Sequence, residues 1–206
     1  MKFINKNSSP NDFENWKQRN RGANWNDLSN ADNRIIKSNL AESLHIEQGK
    51  ICCYCEQRIS GNNSHIEHFK PKSTFPSDSF NYANLLASCE GNPKNKSCGH
   101  KKHSEYSNEM VSPLDSKCES RFIYTEHGMM SPSDPDDADA EQTVLTLGLN
   151  TRRLKAIRRV LYIEIDNYKM YLSPDDFRQL IDDKLQLKPE GYCEYWTTVN
   201  YVALNS

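Results

Sequence analysis

The sequence has no long apolar run, little net charge and no internal repeat. It lacks any stretch of about 18 consecutive apolar residues, so it predicts no membrane-spanning helix. Its first ten residues, MKFINKNSSP, contain no apolar core, which argues against a secretory signal. Lysine and arginine total 26 against 28 aspartates and glutamates, a formal net charge of −2. Any nucleic-acid contact must therefore come from local basic patches.

Cysteine is present in a number and a pattern that disfavour disulfides. The chain has seven cysteines, an odd number, and five of them lie between residues 51 and 103. Together with the lack of a secretory signal, this predicts a cytoplasmic, reducing environment and no membrane partner, with cysteines that bind metal instead of forming cross-links. The two outside this stretch, Cys118 and Cys193, are isolated and are predicted to be packing thiols.

Two separated cysteine pairs indicate a zinc site. Cys52 and Cys55 form a CxxC pair, and Cys89 and Cys98 form a second, looser pair. A CxxC turn lets two thiolates converge on one tetrahedral ion, and a second pair brought back by the chain completes the four ligands. The sequence therefore predicts a structural Zn²⁺ bound by these four residues, with Cys53 as an alternative to Cys52.

Apolar periodicity predicts short strands set among helices. Helices are predicted at residues 12–17, 29–48, 98 to about 110, 151–172 and 173–185, and the acidic run at 134–141 fits the first turn of another. Short strands are predicted on both sides of the turn at residues 60–64 and at 121–125, a helical turn at 82–88, and a strand or aromatic tail at 192–204. The fold class is α+β: a ββα-metal core surrounded by α-helices. We expect a single domain over residues 1–206, with an N-terminal arm and helix at 1–50, the core at 51–110 and a mostly helical region at 111–206.

The segment at residues 65–68, His-Ile-Glu-His, carries the candidate chemistry. Strand alternation places His65 and Glu67 on one face and Ile66 and His68 on the other. An imidazole titrates near neutral pH, so His68 is the predicted general base that takes a proton from water. His65 is left open between a phosphate contact and an ordinary surface residue.

Lysines lie on both sides of this segment. Lys70 and Lys72 follow the predicted base, and the stretch from Gly91 to Ser104 contains several lysines and no acidic residue: Lys94, Lys96, Lys101 and Lys102. Such side chains neutralise the backbone phosphates of a bound nucleic acid. Nucleic-acid contacts are therefore predicted for Lys70, Lys72, Lys101 and Lys102, while a solvated loop is an equal alternative for Lys94 and Lys96.

The order of these residues resembles that of HNH endonucleases, and more closely that of the PtuB-type HNH proteins of Septu and retron-associated antiphage defence systems. The strings that carry the resemblance are CCYCE from residue 52, IEHFKPKS from residue 66, NYANLLASC from residue 81 and CGHKK from residue 98. Softer similarity at Trp16-Lys17, at Gln48-Gly49 and at residues 145–159 extends it over roughly residues 1–160.

The resemblance implies a role for each matching residue in a His-Me finger nuclease site. Glu67 stands where the family usually has an aspartate that binds a catalytic divalent ion, Mg²⁺ or Mn²⁺. Asn84 matches the middle asparagine, which orients the base or braces its loop. The last motif position is a metal ligand on the helix, for which His100 is the first candidate and His103 the second. Gly99 occupies the place of the usual asparagine after the last cysteine.

The resemblance also implies partners. They are a nucleic acid substrate, DNA or RNA, a PtuA-like ABC-type ATPase, and a retron reverse transcriptase with its RNA and DNA. The predicted function is thus a divalent-metal-dependent endonuclease in antiphage defence. The alternative is a zinc-stabilised adaptor that binds nucleic acid or a partner without cleaving. Zinc cysteines alone would suit the adaptor, whereas His68 with Glu67 and a third ligand suits an enzyme.

Overall fold

The computed structural model describes residues 1–91 and 96–205, where helices surround two small sheets. The elements, in chain order, are α1 Asn11–Arg19, α2 Arg34–Glu47, β1 Ser64–His68, β2 Leu85–Cys89, α3 Cys98–Lys102, β3 Phe122–Tyr124, β4 Met130–Pro132, α4 Ala138–Thr146, α5 Arg152–Tyr171, α6 Pro174–Leu185 and α7 Trp196–Asn205. This mixture of helices and small antiparallel sheets agrees with the expected α+β class.

Helix α2 directly precedes the CxxC turn. Its Leu40 and Leu44, one helical turn apart, are fully buried. It begins later than predicted, because residues 27–33 form two short 3₁₀ turns instead of the first helical turn. It ends as expected: Gly49 follows with φ +60°, the left-handed conformation that glycine adopts without a steric penalty. The last polar side chain before it, Gln48, bonds both the N–H and the C=O of Ala87 in β2.

The antiparallel pair β1–β2 is the sheet that carries the candidate site. His68 lies opposite Leu85, and Ser64 lies opposite Cys89. The strand predicted at residues 65–69 is confirmed as β1, whereas the second strand, predicted between residue 51 and the turn at 60–64, was wrong. The CxxC turn holds one isolated bridge, Ile51 to Arg58, and the partner of β1 is the segment that had been predicted as a helical turn. Only residues 82–84 of that segment form a 3₁₀ turn.

Helix α3 is shorter than predicted. It ends at Lys102, because His103 takes a positive φ of 51° and turns the chain away. The prediction of a helix to about residue 110 was therefore wrong. Its five residues nevertheless place Cys98 at the end of β2 and Lys102 beneath the end of β1.

The C-terminal region packs three helices together, with α7 against both α5 and α6. The predicted starts of α4, α5 and α6 are confirmed by the side chains of Asp137, Thr151 and Ser173, each of which caps its helix. The prediction of a strand or aromatic tail at residues 192–204 was wrong, since residues 196–205 form α7.

The main hydrophobic core joins the N-terminal arm, the CxxC turn, the β1–β2 sheet and α4–α5, and runs in sequence from Met1 to Tyr195. A second, smaller cluster forms between α5, α6 and α7 around Ile165, Ile181, Val199 and Val202. Within the described residues, none of the helices combines the length and the apolar character needed to cross a bilayer.

Candidate metal centre and active site

Four cysteines from three parts of the chain meet in the main core. Cys52 and Cys55 come from the turn after α2, Cys89 ends β2 and Cys98 begins α3. All four side chains are buried, and their sulfur atoms lie within 4.8 Å of one another. The seven cysteines of the chain are all free thiols. The structure thus brings together the two pairs that the spacing suggested, and Cys52 occupies the position for which Cys53 was the alternative.

The spacing of these sulfur atoms fits a tetrahedral zinc ion. Zn–S bonds of about 2.3 Å place the sulfurs of a tetrahedral site about 3.8 Å apart. The Cys55 and Cys89 sulfurs are 3.7 Å apart. Hydrogen bonds with Cys52, together with burial, raise the pKa values of Cys55 and Cys98 well above the usual range. Several thiolates can therefore coexist here only beside a cation, and a Zn²⁺ ion bound by the four cysteines would supply that charge.

His68 ends β1 in a confined environment. Its Nε2 lies 3.1 Å from the backbone oxygen of Ser79, and its ring stands at 81° to the Trp25 ring, with 4.3 Å between the ring centroids. Because a carbonyl can only accept a hydrogen bond, Nε2 carries the proton and Nδ1 keeps its lone pair. Burial lowers the pKa of His68 to about 4, so the ring is neutral at neutral pH.

Glu67 lies on the opposite face of β1 and is paired with a buried lysine. Its Oε1 accepts hydrogen bonds from Lys102 Nζ at 2.9 Å and from the Tyr54 hydroxyl at 3.2 Å. Burial alone would raise the pKa of Glu67, but His65 and Lys102 hold it below its usual value, so the side chain is a carboxylate. Oε2 is left facing His65, 3.5 Å from its Nε2.

Asn84 braces the loop that follows the predicted base. Its side-chain oxygen accepts from the N–H of Lys70, and its amide donates to the backbone oxygens of Lys70 and Asp78. The N–H of Phe69 in turn donates to the Asn84 backbone oxygen. These bonds hold the chain just after His68 against the start of β2, so Asn84 can fix the position of the base without touching its ring.

The two candidate ligands near α3 have different surroundings. His100 lies 2.5 Å from a carboxylate oxygen of Glu90, and its ring centroid is 4.5 Å from that of His65. His103 is exposed, and its Nδ1 lies 3.2 Å from the hydroxyl of Ser104. Of the two, His100 alone belongs to a group of described residues whose ligand atoms could share a metal ion: His65, Glu90 and His100.

The predicted nucleic-acid contacts require one correction. Lys72 and Lys101 are exposed and Lys70 is half-buried, so all three can reach a phosphate. Lys102 is completely buried, and its ammonium donates to the His68 backbone oxygen and pairs with Glu67. It cannot contact a phosphate, because its charge is already used inside the core. Lys94 lies outside the described residues.

The structure adds two residues that the sequence reasoning did not assign to the site, and it gives Lys102 another role. Tyr54 holds Glu67 together with Lys102, and Glu90 joins His65 to His100. A signal for His65 existed, since alternation places it on the same strand face as Glu67. Glu90 carried no such signal, because only the β1–β2 register brings the residue after Cys89 near the start of β1.

A small α+β core with a buried four-cysteine cluster and a histidine at a strand end is typical of metal-stabilised proteins that act on or bind nucleic acid. Comparison with known proteins narrows this class, although no protein-family model matches the sequence. The chain is 30% identical over 174 residues to a Vibrio cholerae (serotype O1 biovar El Tor) protein described as "Retron Vc95 putative HNH endonuclease", a match that covers 78% of this chain and 84% of that relative. It is 32% identical over 127 residues to "Retron Ec83 putative HNH endonuclease" of Escherichia coli, covering 53% of this chain and 49% of that relative.

The chain therefore belongs to the family of retron-associated HNH endonucleases. The match to the Vibrio relative spans most of both chains, so it includes more than the cysteine cluster. About half the length of the Escherichia relative is matched.

Proposed function

We propose that the protein is a divalent-metal-dependent endonuclease that hydrolyses phosphodiester bonds of nucleic acid. The observation that carries this proposal is the state of His68 within a chain of this family. Its ring is neutral at neutral pH, one nitrogen is fixed by the Ser79 carbonyl, and the other keeps its lone pair. A general base needs such a lone pair and a fixed orientation.

The proposed reaction moves one proton to His68 and exchanges one P–O bond. Nδ1 of His68 takes a proton from a water molecule, whose oxygen then attacks the phosphorus atom. A new P–O bond forms as the bond to the leaving sugar oxygen breaks, and that oxygen takes a proton from solvent. A divalent ion, Mg²⁺ or Mn²⁺, would stabilise the charge on the phosphate when bound. Of the predicted ligands, Glu67 lies on the face of β1 opposite His68, His100 lies on α3, and the second candidate, His103, directly follows α3.

The groups that line two cavities close to His68 suit a nucleic-acid backbone. Trp25 lines a cavity of about 410 Å³ together with Arg34, Lys37 and the Ile66 face of β1, and Lys72 lies at a neighbouring cavity. A tryptophan can stack on a base, and basic side chains neutralise phosphates. We propose that the substrate enters on this side, with Lys70, Lys72 and Lys101 as further phosphate contacts.

The biological setting is also a proposal. The names of the two relatives place them with retrons. With the PtuB-type resemblance, this supports a role as effector of antiphage defence, together with a PtuA-like ABC-type ATPase and with a retron reverse transcriptase and its RNA and DNA.

A zinc-stabilised adaptor that binds nucleic acid or a partner without cleaving is the second candidate. The observation that favours it is the low exposure of His68, 8% of the side chain and backbone together. A base this confined must be reached by the substrate through the cavities beside Trp25.

A cleavage assay separates the two candidates. Plasmid DNA and total RNA are incubated with the zinc-loaded protein, alone and with the ATPase, in Mg²⁺ or Mn²⁺ and in EDTA. We expect metal-dependent cleavage that His68→Ala slows by about 10²–10⁴-fold, the usual contribution of a general base. His127→Ala, in an exposed turn, is the control and should cleave like the wild type. Binding without cleavage in every condition, with zinc content and circular dichroism intact, would support the adaptor.

A further inference from the structure

One buried nitrogen of His65 has no partner among the described residues. Nδ1 is shielded from solvent and makes no hydrogen bond there. The nearest carboxylate oxygen of Glu90 is 3.5 Å away, and the other oxygen of Glu90 lies 2.5 Å from Nε2 of His100. Leaving a buried polar atom unpaired costs free energy, so such an atom suggests an absent partner.

The other nitrogen of His65 is oriented by a buried carboxylate. Nε2 faces Oε2 of Glu67 at 3.5 Å, and Glu67 is itself held by Lys102 and Tyr54 through its other oxygen. A histidine that binds a metal commonly donates its second ring N–H to a carboxylate, which fixes the tautomer and the ring orientation. With the proton on Nε2, the free lone pair is on Nδ1 and points towards Glu90 and His100.

Gly99 makes this arrangement possible. A Cβ atom at position 99 would lie 2.5 Å from Oε2 of Glu67 and 2.6 Å from Nε2 of His65. Any other residue would therefore separate the imidazole from its carboxylate. The space that a side chain on α3 would take is filled instead by the ring of His65, which comes from β1.

We propose that His65 Nδ1, Glu90 and His100 bind one divalent transition-metal ion, separate from the ion held by the four cysteines. Two imidazoles and one carboxylate form a donor set that suits Zn²⁺, Co²⁺ or Mn²⁺ better than Mg²⁺, which prefers oxygen. The three ligand atoms lie within 4.8 Å of one another. In a tetrahedral site the ligand atoms would be about 3.4 Å apart, close to the 3.5 Å that separates His65 Nδ1 from the nearer Glu90 oxygen.

The remaining coordination positions of this ion are open. Glu90 and His100 are about half exposed, at 47% and 43%. Water or a phosphate oxygen can therefore complete the coordination, as in metal sites that act on a substrate. In this arrangement Glu67 orients His65 through its Oε2, which replaces the direct ligation by Glu67 that the family resemblance implies. A role of this ion in cleavage rests on the proposed function, whereas its binding does not.

Cobalt binding tests the site without relying on activity. The protein is first loaded with one equivalent of Zn²⁺ to fill the four-cysteine site, and Co²⁺ is then titrated while the visible spectrum is recorded. We expect d–d absorption bands without the thiolate-to-cobalt charge-transfer band that cysteine ligands give. His100→Ala, an exposed and structurally safe change, and His65→Ala should remove the bands. Glu67→Gln should weaken Co²⁺ binding by about 10–100-fold, as expected for a residue that orients a ligand.

Two matched variants make the titration decisive. His127→Ala, far along the chain and exposed, should bind Co²⁺ like the wild type. His103→Ala should also bind normally, and loss of binding in this variant with retention in His65→Ala would overturn the assignment. Wild-type protein that gives no such bands would also overturn it. If the bands behave as expected but the protein cleaves nothing, the proposed function fails and the metal site stands.

Discussion

Lys102 is the residue that most changes the interpretation of the motif. Its ammonium is fully buried, pairs with Glu67 and donates to the backbone oxygen of His68. It therefore neutralises the Glu67 carboxylate inside the core and fixes the end of β1 on α3. The sequence predicted that Lys102 would contact a phosphate at the surface, whereas the structure buries it beside Glu67.

Removing that charge should destabilise the protein. Lys102→Met keeps much of the side-chain volume but removes the lysine cation from the buried Glu67 carboxylate, and breaking a buried ion pair in this way typically costs about 3–5 kcal/mol. The measurement is the free energy of unfolding in urea for zinc-loaded protein. Lys101→Met, one residue earlier and exposed, should change it by less than about 0.5 kcal/mol. Equal effects of the two variants would show that Lys102 does not carry a buried ion pair.

For single residues, the sequence predicted those roles that follow from the residue type and the spacing to near neighbours in the chain. The spacing of the four cysteines predicted a shared metal site, and the structure brings their sulfur atoms together. The pairing of Glu67 with Lys102, and of Glu90 with His65, could not be predicted. Each joins residues far apart in sequence, and the contact depends on the register of β1 with β2 and on the short length of α3.

At the scale of elements, long amphipathic helices were predictable and the last helix was not. Residues 192–204, YCEYWTTVNYVAL, are rich in aromatic and β-branched residues, which favour strands. The same residues form α7, since Val199 and Val202 are buried against α5 and α6. Packing against two helices outweighs an intrinsic preference that amounts to a few tenths of a kcal/mol per residue. The strand β2 was missed for a related reason: its residues are all buried and show no alternation.

A close approach between a turn and a helix gives a prediction at this scale. Gly128 has φ +75°, and a Cβ atom there would lie 2.0 Å from the backbone oxygen of Lys155 in α5. Gly128→Ala should therefore push the turn away from α5, beyond the roughly 1–2 kcal/mol cost of the left-handed conformation itself. We expect a lower melting temperature and a loss of more than about 2 kcal/mol in unfolding free energy.

Gly22 supplies the matched control, since it also has a positive φ, of 93°, but nothing lies within 4 Å of a Cβ built on it. Gly22→Ala should carry the conformational cost alone. If both variants lose the same stability, the contact between the turn and α5 is not as close as described.

For the whole molecule, one core links the N-terminal arm to the C-terminal helices. Cysteine ligands from the turn after α2, from β2 and from α3 meet inside it. The Glu56 carboxylate, next to Cys55, accepts from the N–H and hydroxyl of Thr197 and so ties α7 to the CxxC turn. Because the same core includes residues from all three expected regions, we infer that the chain folds as a single domain.

Zinc removal should therefore affect the entire fold. Structural zinc sites contribute on the order of 10 kcal/mol, comparable to the total stability of a domain. Cys89→Ser should bind about one zinc per chain fewer than the wild type and lose cooperative thermal unfolding. Cys193→Ser, outside the cluster, should keep both. Metal analysis and calorimetry report the two quantities, and unchanged zinc content in Cys89→Ser would contradict the four-cysteine assignment.

The central claim is that His68 accepts the proton in phosphodiester cleavage, and chemical rescue tests it most directly. His68→Ala leaves a space beside Ser79 and Trp25 that free imidazole can enter. In zinc-loaded protein with Mn²⁺, the cleavage rate of this variant is measured as imidazole is added. We predict a strongly reduced rate that rises with imidazole concentration, while the wild type does not respond. Cleavage by His68→Ala at the wild-type rate without imidazole would contradict the account.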